Sequence, residues 1–307
     1  MECEYKILLE KITDLLESRI SLQQGGDAQT VGICEVCKCE TPNIDYLLAG
    51  LKDKVIELWQ AYKNYPIKVD YADRYVRAAY MLSYFPYYIH PIYHVLNVNR
   101  NSILDKIEEL NVGFLGGGAL PELVGLTKYV SIQKKNIINI NVTVFDSTTH
   151  WNTERSSVTE PLIKNYYPGN FKIESTIVNL WDKKISVSST IKRLDVLVLQ
   201  NTINEATDEG KEILKMNLIK IWNELAQGAI FIIIDLNYAE ISSFINDLSQ
   251  SIINKEILQE LRKDSVTNAL PRCYFIQDKL FDPSREEDGL YPRGGARSYW
   301  SIILKKG

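Results

Sequence analysis

Histidine is scarce in this chain of 307 residues, with three copies, His90, His94 and His150, and no G-x-S-x-G string is present. A serine or cysteine triad requires a histidine oriented by an acid, so hydrolase chemistry finds no support in these residues. His90 and His94 stand four apart without an H-E-x-x-H string, which reads as a packed pair rather than a pair of metal ligands. Long apolar runs are missing as well. None approaches the roughly 18 residues of a membrane helix, and Met1 to Ile12 is charged and amphipathic, unlike a signal peptide. The expectation is a cytoplasmic protein with no membrane contact. Five cysteines, an odd number, do not suit a secreted disulfide framework. Basic charge is not in excess either: a net charge of -4 and a pI near 5.6 give no field for a nucleic-acid backbone. A small molecule or a protein is the expected partner, with a homodimer left open.

What is present is ordinary for a globular chain, 45% hydrophobic at a mean hydropathy of -0.15. Apolar residues recur at helical spacing from Glu4 to Leu22, and helices are also predicted over Asn43 to Tyr62, Asp70 to Tyr84 and Ser102 to Leu110. Between them, Pro86 and Pro91 mark an irregular segment that contains Tyr87, Tyr88 and His90. Residues 1–100 therefore read as a helical region without strand signals. From Val112 the pattern changes to short strands alternating with helices, the signature of a parallel sheet covered on both faces. The predicted strands are Val112 to Leu115, Asn141 to Phe145, Lys172 to Leu180, Asp195 to Gln200, Ala229 to Asp235, Cys273 to Gln277 and Tyr299 to Leu304. The last two lack a helix between them and are expected to pair antiparallel.

Chemistry concentrates at Val112-Gly-Phe-Leu-Gly-Gly-Gly-Ala-Leu-Pro-Glu122, where an apolar strand enters three glycines and then a helix start. Glycines there let the backbone approach a ligand, and the helix N-terminus offers free N–H groups. The next strand ends on Asp146, an acid placed to accept ribose hydroxyls or to cap the helix after it. Together they read as a nucleotide-type cofactor site. Tyr71, Tyr75, Tyr80 and Tyr84 read as packing of a helix between neighbours, and Tyr87, Tyr88 and His90 as candidates for a pocket. Cys34, Cys37 and Cys39 supply three thiolates, one short of a tetrahedral zinc or iron-sulfur site; no metal is assigned. Arg285, Arg293 and Arg297 read as a solvated loop.

Over residues 101–307 the chain resembles the class I S-adenosylmethionine-dependent methyltransferases, on Phe114-Leu-Gly116-Gly117-Gly118, Asp146 and the strand Leu194 to Asn201. The resemblance implies a Rossmann-like α/β fold with a seven-stranded sheet, preceded by the N-terminal all-helical region as a substrate lid. It implies S-adenosylmethionine as cofactor, with Gly116, Gly117 and Gly118 against its methionine part and Asp146 with Ser147 at the ribose. Leu180, Trp181 and Asp182 would lie around adenine, Gln200 and Asn201 would bind the cofactor at the end of the fourth strand, and the loop Thr202 to Glu205 would line its reactive end. Tyr88, Asn204 and Glu205 are the groups expected beside the transferred methyl. The sequence departs from the family pattern at Phe114, where an acid is usual, and at Leu120, where a third glycine is usual. The glycine turn is also similar to that of nicotianamine synthases, which transfer the aminocarboxypropyl group of the same cofactor, and the helical region to that of mitochondrial small-subunit ribosomal RNA methyltransferase-like proteins. The implied activity is methyl transfer to a small-molecule or protein acceptor. The alternatives are aminocarboxypropyl transfer and a catalytically silent interaction protein.

Overall fold

The computed structural model describes residue 11 and residues 32–33, 40–41, 45–101, 103–104, 108–186, 189–266 and 297–307. Seven strands form one sheet: β1 (Glu109–Leu115), β2 (Asn139–Asp146), β3 (Asn170–Ile177), β4 (Val196–Gln200), β5 (Ile230–Leu236), β6 (Lys255–Val266) and β7 (Arg297–Lys306), in the order 3-2-1-4-5-7-6. Strands one to five are parallel, and β7 runs antiparallel between β5 and β6. This is the seven-stranded Rossmann-like α/β sheet that the resemblance implied, closed by an antiparallel pair.

Alternation along the strands decides which face each residue fills. Val112 and Phe114, Val196 and Val198, and Ile232 and Ile234 point to one face; Leu197 and Leu199, and Phe231 and Ile233, point to the other. Both faces are covered, which is why β5 is apolar at six of its seven positions and fully buried. The first face receives α1 (Asp45–Ala61), α2 (Arg74–Ser83), α3 (Phe85–Val98) and α4 (Pro121–Gln133), whose buried residues join one core with the sheet. A short helix α5 (Asn152–Glu154) runs through a π-helical turn (Arg155–Thr159) into α6 (Glu160–Lys164). The second face is covered by α7 (Asp208–Glu224) and α8 (Ala239–Ser251).

Several elements differ from the sequence prediction. In the region read as all-helical, Gly32–Ile33 and Glu40–Thr41 pair as a short antiparallel ladder, and Arg297, read as loop, opens β7. Glu109 and Leu110 are strand and Ile103 and Leu104 are bends, so no helix runs from Ser102 to Leu110. Backbone pairing with Asn139 and Ile140 recruits the end of that segment into the sheet, and Leu104 has φ 61°, which an α-helix does not accommodate. The segment around Tyr87 and Tyr88 is helix α3, not irregular: Pro86 sits in its first turn, where a missing N–H costs nothing, and Pro91 is carried inside. Helix α2 begins only after its cap Asp73, which leaves Tyr71 in the preceding turn. The antiparallel partner of β7 is Lys255–Val266; its charged sequence suits a sheet edge and hides its strand character. Cys273 to Gln277, all five cysteines, most of Glu4 to Leu22, Arg285 and Arg293 lie outside the described residues. Among the described residues no helix is long and apolar enough to cross a membrane.

Candidate functional site

Register brings the candidate residues to one level. Leu115 stands opposite Phe145 on one side and Leu199 on the other, so Gly116, Asp146 and Gln200 emerge together. Asp146 in turn stands opposite Ile177, so Val178 to Trp181 leave β3 beside it. This level is the C-terminal edge of the parallel strands, between β1 and β4, where the direction of winding reverses. A cavity opens there. Its walls include Gly116, Gly117, Gly118, Glu122, Asp146, Ser147, Thr148, Trp151, Leu180, Trp181, Gln200, Asn201, Thr202 and Glu205, with Tyr62, Tyr71 and Tyr80 from the helical region.

The glycine turn is shaped by its glycines. Gly116 has φ 63° and Gly118 φ 48°, the left-handed region. A Cβ on Gly116 would stand 2.7 Å from Thr202 Oγ1, whereas one on Gly118 would meet nothing nearer than the Trp151 ring at 3.7 Å. The turn thus packs tightly against Thr202 and keeps ordinary contact distance from the Trp151 ring. Leu120, where the family's third glycine would fall, also takes φ 64°, a strained conformation that its complete burial holds in place. Asp146 ties the turn to β2: its Oδ2 accepts from Gly118 N at 2.9 Å, its Oδ1 from Thr148 N at 3.1 Å, and Arg155 lies 3.4 Å away. Arg155 also donates to the Gly118 carbonyl at 2.6 Å and to Asn152 and Ser175.

On the opposite side, Asp235 is fully buried at the end of β5 and accepts from Ile203 N, Asn204 Nδ2 and Leu236 N, each at 2.7 Å. Burial pushes its carboxyl up to about 6, against the pull of those donors. It fixes the loop that carries Glu205. Glu205 is exposed and lines the cavity. The protein around it, with Asp235 and Asp146 among its neighbours, pushes its carboxyl up to about 8. Burial raises Glu122 to about 8 as well, with Arg155 opposing. The rings of Tyr71, Tyr80 and Trp151 contact one another at centroid distances of 5.2–5.7 Å. Tyr62 reaches Tyr71 through a hydroxyl contact of 3.2 Å. Burial holds Tyr62, Tyr71 and Tyr80 far above the ordinary phenol value, so they remain neutral.

Of the predicted site residues, Gly116, Gly117, Gly118, Asp146, Ser147, Leu180, Trp181, Gln200, Asn201 and Glu205 line the cavity. Three stand elsewhere. Asp182 is exposed and accepts from Lys184 N. Asn204 is buried on Asp235. Tyr88 is buried behind the wall, its carbonyl accepting from Gln200 Nε2 at 2.7 Å. Tyr71 and Tyr80, read from the sequence as packing, are part of the cavity wall. Sequence reasoning missed Tyr62, Trp151, Arg155, Asp235 and Glu122. Only Glu122 carried a signal, an acid directly after the glycine turn, and it read as an ordinary helix start.

No protein-family profile matches the sequence, and no curated protein is similar to it. Among solved structures, the chain is similar to the plantazolicin methyltransferase BpumL in complex with SAH, at 13% identity and TM-score 0.44 over 86% of this chain and 99% of that one. It is also similar to a SAM-dependent methyltransferase from Methanosarcina mazei, at 11% identity and TM-score 0.41 over 68% and 96% of the two chains. A methyltransferase from Pyrococcus furiosus is similar at 11% identity and TM-score 0.38 over 68% and 82%. These are similarities at low identity; the strand order 3-2-1-4-5-7-6 is what defines the fold.

Proposed function

We propose that the protein is an S-adenosylmethionine-dependent methyltransferase acting on a small-molecule or protein acceptor. The observation that carries this reading is the meeting of four strand ends around one cavity: the left-handed glycine turn, Asp146, the β3 end at Leu180 and Trp181, and Gln200 to Glu205 after β4. The residues present fit such a cofactor. Gly118 lets the backbone approach a ligand, since an added Cβ there would meet only the Trp151 ring at 3.7 Å, whereas Gly116 and Gly117 are required by the packing of the turn on Thr202 and Leu120. Asp146 and Ser147 are assigned to the ribose hydroxyls, and Leu180 and Trp181 to the faces of the adenine. Gln200 and Asn201 are assigned to the reactive end. Bound there, the cofactor supplies a methyl group already activated by its sulfonium. The chain's own work is then to align the acceptor, exclude water and take up a proton where the acceptor carries one.

Glu205 is the assigned proton acceptor, because it alone of the three expected catalytic groups faces the cavity. Asn204 positions it through Asp235. Tyr88 supports Gln200 from behind through its carbonyl.

Calorimetric titration with S-adenosylmethionine, S-adenosylhomocysteine, methylthioadenosine and NAD tests the reading. Binding of the first two is expected, weakened about tenfold to a hundredfold in Asp146→Ala, the loss of one or two hydrogen bonds to a charged group. Absence of binding by all four would overturn the assignment in favour of a silent interaction protein. In turnover, release of methylthioadenosine instead of S-adenosylhomocysteine would replace methyl transfer with aminocarboxypropyl transfer.

A further inference from the structure

The walls of the cavity are one-sided in chemistry. Among the described residues they carry three carboxyl groups, Glu122, Asp146 and Glu205, and no lysine, arginine or histidine. The nearest described cation, Arg155, is buried with its donors on Gly118, Asn152, Ser175 and Asp146. On the helical side stand four neutral rings, Tyr62, Tyr71, Tyr80 and Trp151. Gln200, 5% exposed, turns its amide N–H to the Tyr88 carbonyl and leaves Oε1 buried with no donor among the described residues. An unmet acceptor, two acids beyond the one at the ribose position and a set of aromatic faces all lack the same thing: a positively charged donor.

We infer that the acceptor is an aliphatic amine, held as its ammonium between the rings of Tyr62, Tyr71, Tyr80 and Trp151 and the carboxyls of Glu122 and Glu205. This inference rests on the methyltransferase reading and names its substrate class. Anionic acceptors are disfavoured, because no cation in the wall would meet them. Docking of an ammonium stabilises the carboxylate forms of the two glutamates, against the burial of Glu122 and the carboxyls neighbouring Glu205. A Glu205 carboxylate oxygen then accepts one N–H proton; the nitrogen keeps the bonding pair and becomes a free amine, and Glu205 becomes a neutral acid. That transfer runs uphill, because docking lowers the Glu205 carboxyl from about 8 while an alkylammonium ionises near the ordinary lysine value of roughly 10.4.

The test uses the full chain saturated with S-adenosylhomocysteine and three probes: choline, its uncharged carbon isostere 3,3-dimethylbutan-1-ol, and 3,3-dimethylbutanoate. Choline is expected to bind at least tenfold more tightly than either, and at least tenfold more weakly in Glu205→Gln and in Glu122→Gln. Equal binding of the isostere, better binding of the carboxylate, or unchanged affinity in both variants would overturn the inference. So would expulsion of choline by S-adenosylhomocysteine, since the cation site would then be the cofactor's own. Binding of choline to a protein that fails to bind S-adenosylhomocysteine would support the cation site and refute the methyltransferase reading instead. A second readout follows protons: calorimetry of choline binding at pH 8 in phosphate and in Tris is expected to show release of a fraction of a proton, diminished in Glu205→Gln. Replacing choline with n-butylamine and with a tripeptide carrying a central lysine tells whether the amine is free or borne on a protein; failure of both to bind would count against the inference.

Discussion

The cavity has two walls built on different principles. The strand wall, from Gly116 to Gly118 with Asp146 and the residues after β3 and β4, is set by backbone: ladder register, left-handed glycines and a carboxylate bonded to main-chain N–H groups. The helical wall, Tyr62, Tyr71, Tyr80 and Trp151, is set by side chains from the stretch Tyr62 to Tyr80 and from Trp151, about 70 residues on, that meet through ring and hydroxyl contacts. A backbone wall has one shape for any side chains that preserve its turns. A wall of side chains is rebuilt by a few substitutions, so under the proposed function the cofactor geometry belongs to the strand ends and the choice of acceptor to the helices. The difference assigns constancy to the strand ends and specificity to the helices.

Breaking the attachment of the helical wall should have the largest effect. Arg77 of α2 and Glu154 of α5 form a buried pair at 2.7 Å, and Arg77 also donates to the carbonyls of Tyr71 and Ala72. Arg77→Ala leaves Glu154 charged and alone in the core; a loss of about 3–5 kcal/mol is expected in denaturant unfolding. A loss below 1 kcal/mol would mean the helices are held by apolar packing alone.

The strand wall is probed by Gly116→Ala. Its φ of 63° and the approach of Thr202 put the added methyl in both strain and collision. Destabilisation of about 1–3 kcal/mol is expected, with loss of S-adenosylhomocysteine binding and retained choline binding. Equal loss of both ligands would show that the two walls do not act separately.

The smallest effect is electrostatic. Burial raises the Glu122 carboxyl to about 8 in the folded chain, while in the unfolded chain it ionises near its ordinary value of roughly 4.3. Between those values the native state holds the extra proton, so its contribution to stability is complete below about pH 4 and is lost as pH rises through about 8. Glu122→Gln removes that dependence. Its Tm is expected to match the parent at pH 4 and to exceed it by about 3–5 °C at pH 9. An unchanged difference across that range would place the group in a more hydrated setting.

Much of the strand half was legible in the sequence. Glycines before a helix start, an acid closing the next strand and an apolar β5 are local patterns with local causes, and the parallel sheet follows from their alternation. The edge strand β6 was not, because Lys255 to Val266 gains its strand form from pairing with β7 rather than from its own residues. Nor was α3: two prolines within seven residues suggest a break, yet one occupies the first turn and packing carries the other. The left-handed Leu120 was visible only as a missing glycine.

The sequence alone determined the class of fold, the cofactor-type turn and the acid beside it, since these depend on neighbours within a few residues of one another. Only the tertiary structure decided that Glu122, Glu205 and the aromatic rings face one cavity while Tyr88, Asn204 and Asp182 do not. Which side of a helix or loop meets the sheet is fixed by contacts between segments some 30 to 110 residues apart, and such contacts leave no periodic trace in the chain.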